Sequence, residues 1–557
     1  MNTRILVNIY LLICFLFCFS SKAQTYYLHL LSKAPQEQIT LDSLQQIKPF
    51  SNISLLREEY ETIISLLQKK GYLFLDASPL QKTNDSLYNG VITMGQKYNK
   101  IFIRTKEIPL TSKKIFNLPS DSIVLPIHQT EQFINTLLKD LEQKGYPMSS
   151  AQLINHQIEK NHLTATLELK VDIKRTIDNI FITPYEKFPK GIKKQLVKRY
   201  QHKDFSTQTI QALQNEMQQF PFVKMGKPAE ILFTDEQTIL YVYAEKANAS
   251  RFDGLIGFNS NEETGKLQFN GHLDLQLLNV FNAGEQLKLY WKNDGQQQST
   301  LRIQTEVPYI FSSPFGVMGE LQIFKQDSTM QNTKMNLQAL YYLSLQNRIG
   351  LGIQNTSSTA GTENSYGAEN YSNTFYTASH YYNKYQEHYL FPTLFRSSVQ
   401  IGYGNRKTDT EDLPQYFLQL YIEKLWQINQ RNYFHQAIEG YYLKSDRYIY
   451  NELYRFGGNQ SLRGFNENSL FAQSLLGLYN EYRYVLSSML YAHTITDIGY
   501  YEDPLTNTQS ILYSGGIGLG IKTGGGLFNM IYAIGKQPDQ KFELKNAIVH
   551  ISFKTQF

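Results

Sequence analysis

From about residue 250 to Phe557 the chain alternates apolar and polar residues, and no helical pattern interrupts it. Period two restricts this half to β-strands with two unlike faces. In 267–277, Leu267, Phe269, Gly271, Leu273, Leu275 and Leu277 share one face. Gln268, Asn270, His272, Asp274 and Gln276 share the other. "LKLYWK", "STLRIQTEVPY" and "FRSSVQIGYG" repeat the alternation, and turn-like clusters such as "KNDGQQQS" separate the runs.

A soluble sandwich and a membrane barrel both alternate in this way. The number of strands and the dense tyrosine and phenylalanine, which suit interfacial girdles, favour the barrel. At about 10 residues per tilted strand plus connections, this half accommodates about 16 antiparallel strands. In lipid such a sheet must close on itself, because an open edge would leave backbone groups unsatisfied. The last segment, "VHISFKTQF", places Val549, Ile551, Phe553, Thr555 and Phe557 on one face. An alternating last strand ending in phenylalanine is what outer-membrane barrels carry as an assembly signal.

The start of the chain fits export. Arg4 precedes a largely apolar run over 5–19, and Ser21-Lys22-Ala23 supplies small residues for cleavage. Residues 1–23 therefore read as a signal peptide, too short to be a membrane span. Both cysteines, Cys14 and Cys18, lie inside it, so the mature chain is expected to lack disulfides, thiol catalysis and cysteine-bound metals. Formal net charge is +5 and includes Arg4 and Lys22. What remains is too weak to argue for nucleic acid.

Residues 24–248 mix helical and strand patterns. Three segments have helical spacing. They carry Leu56, Tyr60, Ile63 and Leu67; Ile134, Leu137, Leu138 and Leu141; and Ile210, Leu213, Met217 and Phe220. The first two end in Lys-Gly-Tyr and the third at Pro221, all helix stops. Strand-like runs flank each helix, the clearest being "LTATLELKVDI". The pattern recurs after about 75 residues, a threefold repeat over 24–97, 98–173 and 174–248, followed by a barrel over 249–557.

Within the barrel half, "FGGNQSLRGFNENSLFAQ" places Arg463 among glycines. "SLRGF" (Arg463, Gly464, Phe465) resembles the loop signature of the BamA/TamA outer-membrane assembly superfamily. "LLGLYNEYRY" supplies Glu481, "TITDIGY" supplies Asp497 and Gly499, and "SGGIGLGIKTGGGLFNMIYAIG" resembles the next hairpin. Ile495 replaces a family phenylalanine, and Gly524, Asn529 and Ile531 depart from the family's hairpin.

The resemblance implies three POTRA domains in the periplasm and a loop folded into the barrel lumen. There Arg463 would meet Glu481 and Asp497 in a screened contact worth about 1 kcal/mol. In layout the chain is closer to TamA than to BamA. The implied function is assembly of outer-membrane proteins: POTRA domains capture unfolded clients, and a lateral barrel seam inserts them. The alternative is a two-partner-type secretion transporter that passes a partner protein through the lumen. Implied partners are unfolded outer-membrane or secreted clients, outer-membrane lipid, and an accessory protein of the periplasm or inner membrane. No cofactor or metal is implied. The chain has no G-x-S-x-G, H-E-x-x-H or phosphate-loop motif, so no enzyme activity is expected. His380 and His388 are expected in the wall or an external loop.

Overall fold

The computed structural model describes residues 25–45, 48–159, 162–260, 267–293, 298–361, 367–524, 526–537 and 544–556. The expected leader, 1–23, and Phe557 lie outside the described residues. The chain divides into two compact units. One runs to Arg175 and includes Asp204–Thr207; the other holds Thr176–Lys203 and Gln208 onward.

Three four-stranded sheets precede the barrel. In the first, β1 (Tyr27–Leu31) lies parallel to β4 (Leu87–Thr93). The short β2 (Asp76–Ala77) and β3 (Gln81–Lys82) run antiparallel to β4. In the second, β5 (Lys100–Arg104) is parallel to β8 (His162–Lys170). Strands β6 (Ser122–Pro126) and β7 (Ser150–Glu159) flank that pair. In the third, β9 (Asn179–Pro184) is parallel to β12 (Thr238–Lys246), with β10 (Val223–Met225) and β11 (Glu230–Phe233) antiparallel to it. Each sheet thus brings its first and last strands together in parallel, which requires the helical crossover between them.

The amphipathic helices form where their spacing predicts. Helix Ile53–Lys69 starts on Asn52, whose Oδ1 accepts from the Leu55 amide at 2.8 Å. It buries Leu56, Tyr60, Ile63 and Leu67, each worth roughly 1.5–3 kcal/mol of transfer free energy. It closes on Gly71 (φ 107°), with the Tyr72 amide bonded to the Leu67 carbonyl. Helix Thr130–Gln143 closes in the same way on Gly145 (φ 93°). Helix Thr207–Met217 buries Ile210, Leu213 and Met217.

Each repeat also holds a helix that the spacing argument missed: Pro35–Leu44, Leu110–Ile115 and Lys190–Tyr200. Pro35–Leu44 buries only Leu41, and Leu110–Ile115 has six residues, so neither presents a stripe. Strand β6 was missed as well: five residues between two helices look like a connection.

The remaining strands close into a barrel of 16 antiparallel strands, the number expected. They are β13 (Arg251–Ser260), β14 (Leu267–Leu278), β15 (Gln286–Asn293), β16 (Gln298–Val307), β17 (Phe315–Gln326) and β18 (Met330–Tyr342). Then come β19 (Asn347–Ala360), β20 (Tyr371–Tyr385), β21 (Thr393–Lys407), β22 (Asp412–Gln427) and β23 (Asn432–Lys444). After a long loop follow β26 (Ser474–Ser487), β27 (Leu490–Asp503), β28 (Thr508–Thr523), β29 (Gly526–Lys536) and β30 (Ile548–Gln556). The loop carries its own hairpin, β24 (Tyr454–Phe456) with β25 (Leu470–Ala472).

The two faces of the wall match their solvents. On β18, Met335, Leu337 and Tyr341 point outward and are exposed, whereas Asn336, Gln338 and Leu340 point inward and are buried. An apolar outside and a polar inside are the reverse of a soluble protein and suit lipid. Val549, Ile551 and Phe553 on β30 belong to the exposed outer set.

Candidate functional site

The loop between β23 and β26 turns back into the barrel and packs there. Phe456, Leu462, Phe465 and Ala472 form one buried cluster with Ala437, Leu475, Tyr479 and Leu512 of the wall. Arg463 sits at its centre. Its Nε and Nη2 donate to the two carboxylate oxygens of Asp497 at 2.8 and 2.6 Å, a two-pronged pairing that a planar guanidinium allows. Its backbone amide donates to Asp497 as well, at 3.2 Å. Its Nη1 donates to Glu481.

Glu481 is held from the other side by Arg483, through Nε at 2.8 Å and Nη2 at 2.7 Å. Two carboxylates and two guanidiniums therefore balance within one cluster. His493 lies 3.6 Å from Glu481.

Arg463 was expected in a wet lumen, in a screened contact. Its side chain is only 6% exposed, that of Asp497 0% and that of Glu481 10%. Packing of Leu462 and Phe465 against the wall removes the water that would have screened the charges. Such a pair is costly to break from one side, on the order of 3–5 kcal/mol, because the remaining charge stays buried.

Gly464 has a backbone reason to be glycine. Its φ is 80°, and an added Cβ would lie 2.4 Å from the Gly535 nitrogen and 2.5 Å from the Ile534 carbonyl carbon. The Gly535 amide donates to the Gly464 carbonyl at 3.1 Å, so the loop pairs main chain to main chain with β29. An added Cβ on Gly535 would run into the Phe465 ring at 2.6 Å. Gly499 is different: a Cβ there would meet Leu462 at 3.5 Å, an ordinary contact, so space does not demand glycine.

Three further anchors escaped the sequence reading. Glu439 on β23 accepts from the hydroxyls of Tyr454 (2.6 Å), Ser461 (2.7 Å) and Tyr479 (2.5 Å). Glu467, near the end of the loop, accepts from Tyr290 at 2.9 Å and pairs with Lys292, both on β15. Glu452 pairs with the fully buried Arg406 of β21 at 2.5 Å and accepts from Gln415 at 2.8 Å. The "SLRGF" motif pointed only to Arg463 and its immediate partners. The remaining charges, Glu439, Lys292 and Arg406 on the wall and Glu452 and Glu467 in the loop, carry no local mark that pairs them. The loop thus spans the lumen from β27 and β29 to β15, strands that stand on opposite sides of the β13–β30 closure.

Among the described residues that closure is the least complete pairing of the barrel. Among the described residues β13 and β30 pair only through Arg251–Gln556 and Phe252–Thr555. On its other side β30 pairs with β29 continuously from Ile548–Ala533 to Lys554–Leu527. The histidines of interest do not join the site. His380 faces Asn347 at 2.8 Å, and His388 stacks on Phe391 beside Tyr433 in the turn between β20 and β21.

No protein-family model and no curated protein matches the chain. Solved structures do. CdiB from Acinetobacter baumannii is 13% identical and matches over 94% of this chain and 96% of that one, with a TM-score of 0.51. CdiB from Escherichia coli is 12% identical and matches over 95% and 100%, with a TM-score of 0.50. At such identity the likeness speaks for fold. The chain therefore has the CdiB fold, a 16-strand barrel behind mixed α/β domains, the architecture that its resemblance to the BamA/TamA superfamily implies.

Proposed function

We propose that the protein is an assembly and insertion factor of the outer membrane. Its N-terminal sheets act as periplasmic POTRA domains that capture unfolded clients by adding client strands to open sheet edges. The barrel then passes client strands into lipid through the β13–β30 seam. No cofactor, metal or enzymatic step is required; client folding supplies the energy. Clients, lipid and an accessory protein of the periplasm or inner membrane are its partners, and nucleic acid is not.

The observation that carries this reading is the seam itself. Among the described residues, two paired positions per strand hold the closure, so opening it costs little. Once open, it offers unpaired donors and acceptors inside lipid, which an incoming strand satisfies. In the same reading the Arg463 cluster holds the loop across the lumen and keeps the strands on both sides of the seam in register with it.

A second reading, a secretion transporter for one partner protein, draws support from a polar cavity inside the barrel. It measures about 540 Å³ and is lined by Arg302, Gln304, Glu320, Lys334, Gln354 and Gln400 among others. One experiment separates the two. A cysteine pair, Phe252→Cys with Thr555→Cys, locks the seam under oxidation. Client insertion into proteoliposomes should fall on oxidation and return with reductant. Full insertion through a locked seam would remove the assembly reading, and export that persists with the seam locked would favour the transporter.

A further inference from the structure

Asp253 stands one residue beyond the last paired position of β13. Continuing the register of Arg251–Gln556 and Phe252–Thr555 would set Gly254 opposite Phe553. The Phe553 amide instead donates to the Asp253 carboxylate, Oδ1, at 3.3 Å. A side chain therefore occupies the acceptor place that a main-chain carbonyl fills elsewhere in the barrel. The same oxygen lies 3.1 Å from Nε2 of His272 on β14. Asp253 is buried, and its direct register partner on β14 is Asp274, a like-charged neighbour. With Asp274 opposite, the carboxylate gains from both donors.

We propose that Asp253 is the positioning residue that latches the barrel seam, with the Phe553 amide and His272 as its two seats. A main-chain pair can release β30 only if β13 itself moves. A carboxylate releases it by turning about its own side-chain bonds, staying on His272 while the Phe553 amide is handed to another acceptor. The acceptor is a client strand, so the use of the latch rests on the assembly reading; its existence rests on the geometry alone.

The test uses the full chain folded in lipid nanodiscs. Amide directions alternate along a strand, so Ile551 turns its amide to the same side of β30 as Phe553. Hydrogen exchange in the native sequence should be about tenfold slower at Phe553 than at Ile551. Equal exchange at the two positions overturns the latch without recourse to any variant. Asp253→Ala should erase the difference and slow oxidative crosslinking of Phe252→Cys with Thr555→Cys by about tenfold. Asp253→Asn, which keeps an acceptor oxygen, should stay close to the native rate. His272→Ala should increase protection of Phe553, because the competing seat is gone. An unchanged crosslinking rate in a folded Asp253→Ala barrel also overturns the proposal. Client insertion is scored separately: a loosened seam with unaltered insertion supports the latch and counts against the assembly reading.

Discussion

Arg463 shares a nearly dry cluster with Asp497 and Glu481, so its removal takes from Asp497 its guanidinium partner and leaves Glu481 with Arg483 and, 3.6 Å away, His493. Arg463→Ala should unseat the loop and lower the unfolding temperature of the barrel, at a cost of about 3–5 kcal/mol. Protease sensitivity within 457–469, together with heat modifiability, reads both effects. Arg463→Lys should recover only part, because an ammonium cannot bridge Asp497 in two-pronged fashion. Gly535→Ala should unseat the same loop through its clash with the Gly464 carbonyl oxygen and the Phe465 ring, whereas Gly499→Ala should leave it in place. If Gly499→Ala disrupts the loop as strongly as Gly535→Ala, main-chain contact is not what seats it. Sequence supplied Arg463, Gly464 and the acidic partners because the motif is local and its partners follow on the next strands. Gly535 carries no such mark among the other glycines of β28 and β29.

At the scale of elements, the first repeat is tied together by Glu37 in helix Pro35–Leu44. Its carboxylate accepts from the Ser32 hydroxyl at 2.5 Å and from the amides of Met94 and Gly95 at 3.1 and 3.2 Å. Burial pushes its pKa up, but the hydrogen bonds from Ser32, Met94 and Gly95 outweigh this and hold it below the usual 4.5. A lowered folded pKa means that the charged form stabilises the fold. That stabilisation is present above the unfolded value and is lost as pH falls through the folded one. Glu37→Gln should cost about 1 kcal/mol near neutral pH, and the deficit should vanish under strong acid. Denaturant titration of the first repeat across that range checks the sign; a deficit that grows in acid would reverse it. The helix itself was invisible to periodicity, since it buries a single leucine and is fixed instead by this polar contact with the end of β4.

For the molecule as a whole, the third sheet and the barrel form one compact unit. Helix Lys190–Tyr200 packs on the turn between β16 and β17, where Gln195 donates to the Ser312 carbonyl at 2.5 Å. Beside it, buried Asn279 of the next barrel turn donates to the Tyr185 hydroxyl at 2.8 Å. Tyr185→Phe strands that donor at a cost of about 1–3 kcal/mol. The expected result is a third domain that swings more freely, read as faster proteolysis at Ala247–Ser250 with an unaltered barrel. Cleavage at the native rate would mean that this hydrogen bond does not restrain the domain.

The sequence by itself determined the barrel, its strand number and the inward loop signature, because these depend on period-two alternation and on a motif read in chain order. It also determined the three amphipathic helices and the glycine stops of the first two. Only the tertiary structure decided how dry the Arg463 cluster is, since its water is removed by Leu462, Phe465 and wall residues from several strands. It alone paired Glu467 with Lys292, 175 residues away, and brought the Asp253 carboxylate to the Phe553 amide, 300 residues away. Local pattern fixes which face of a strand is polar. Barrel closure fixes which polar groups meet, because it alone places the first strand beside the last.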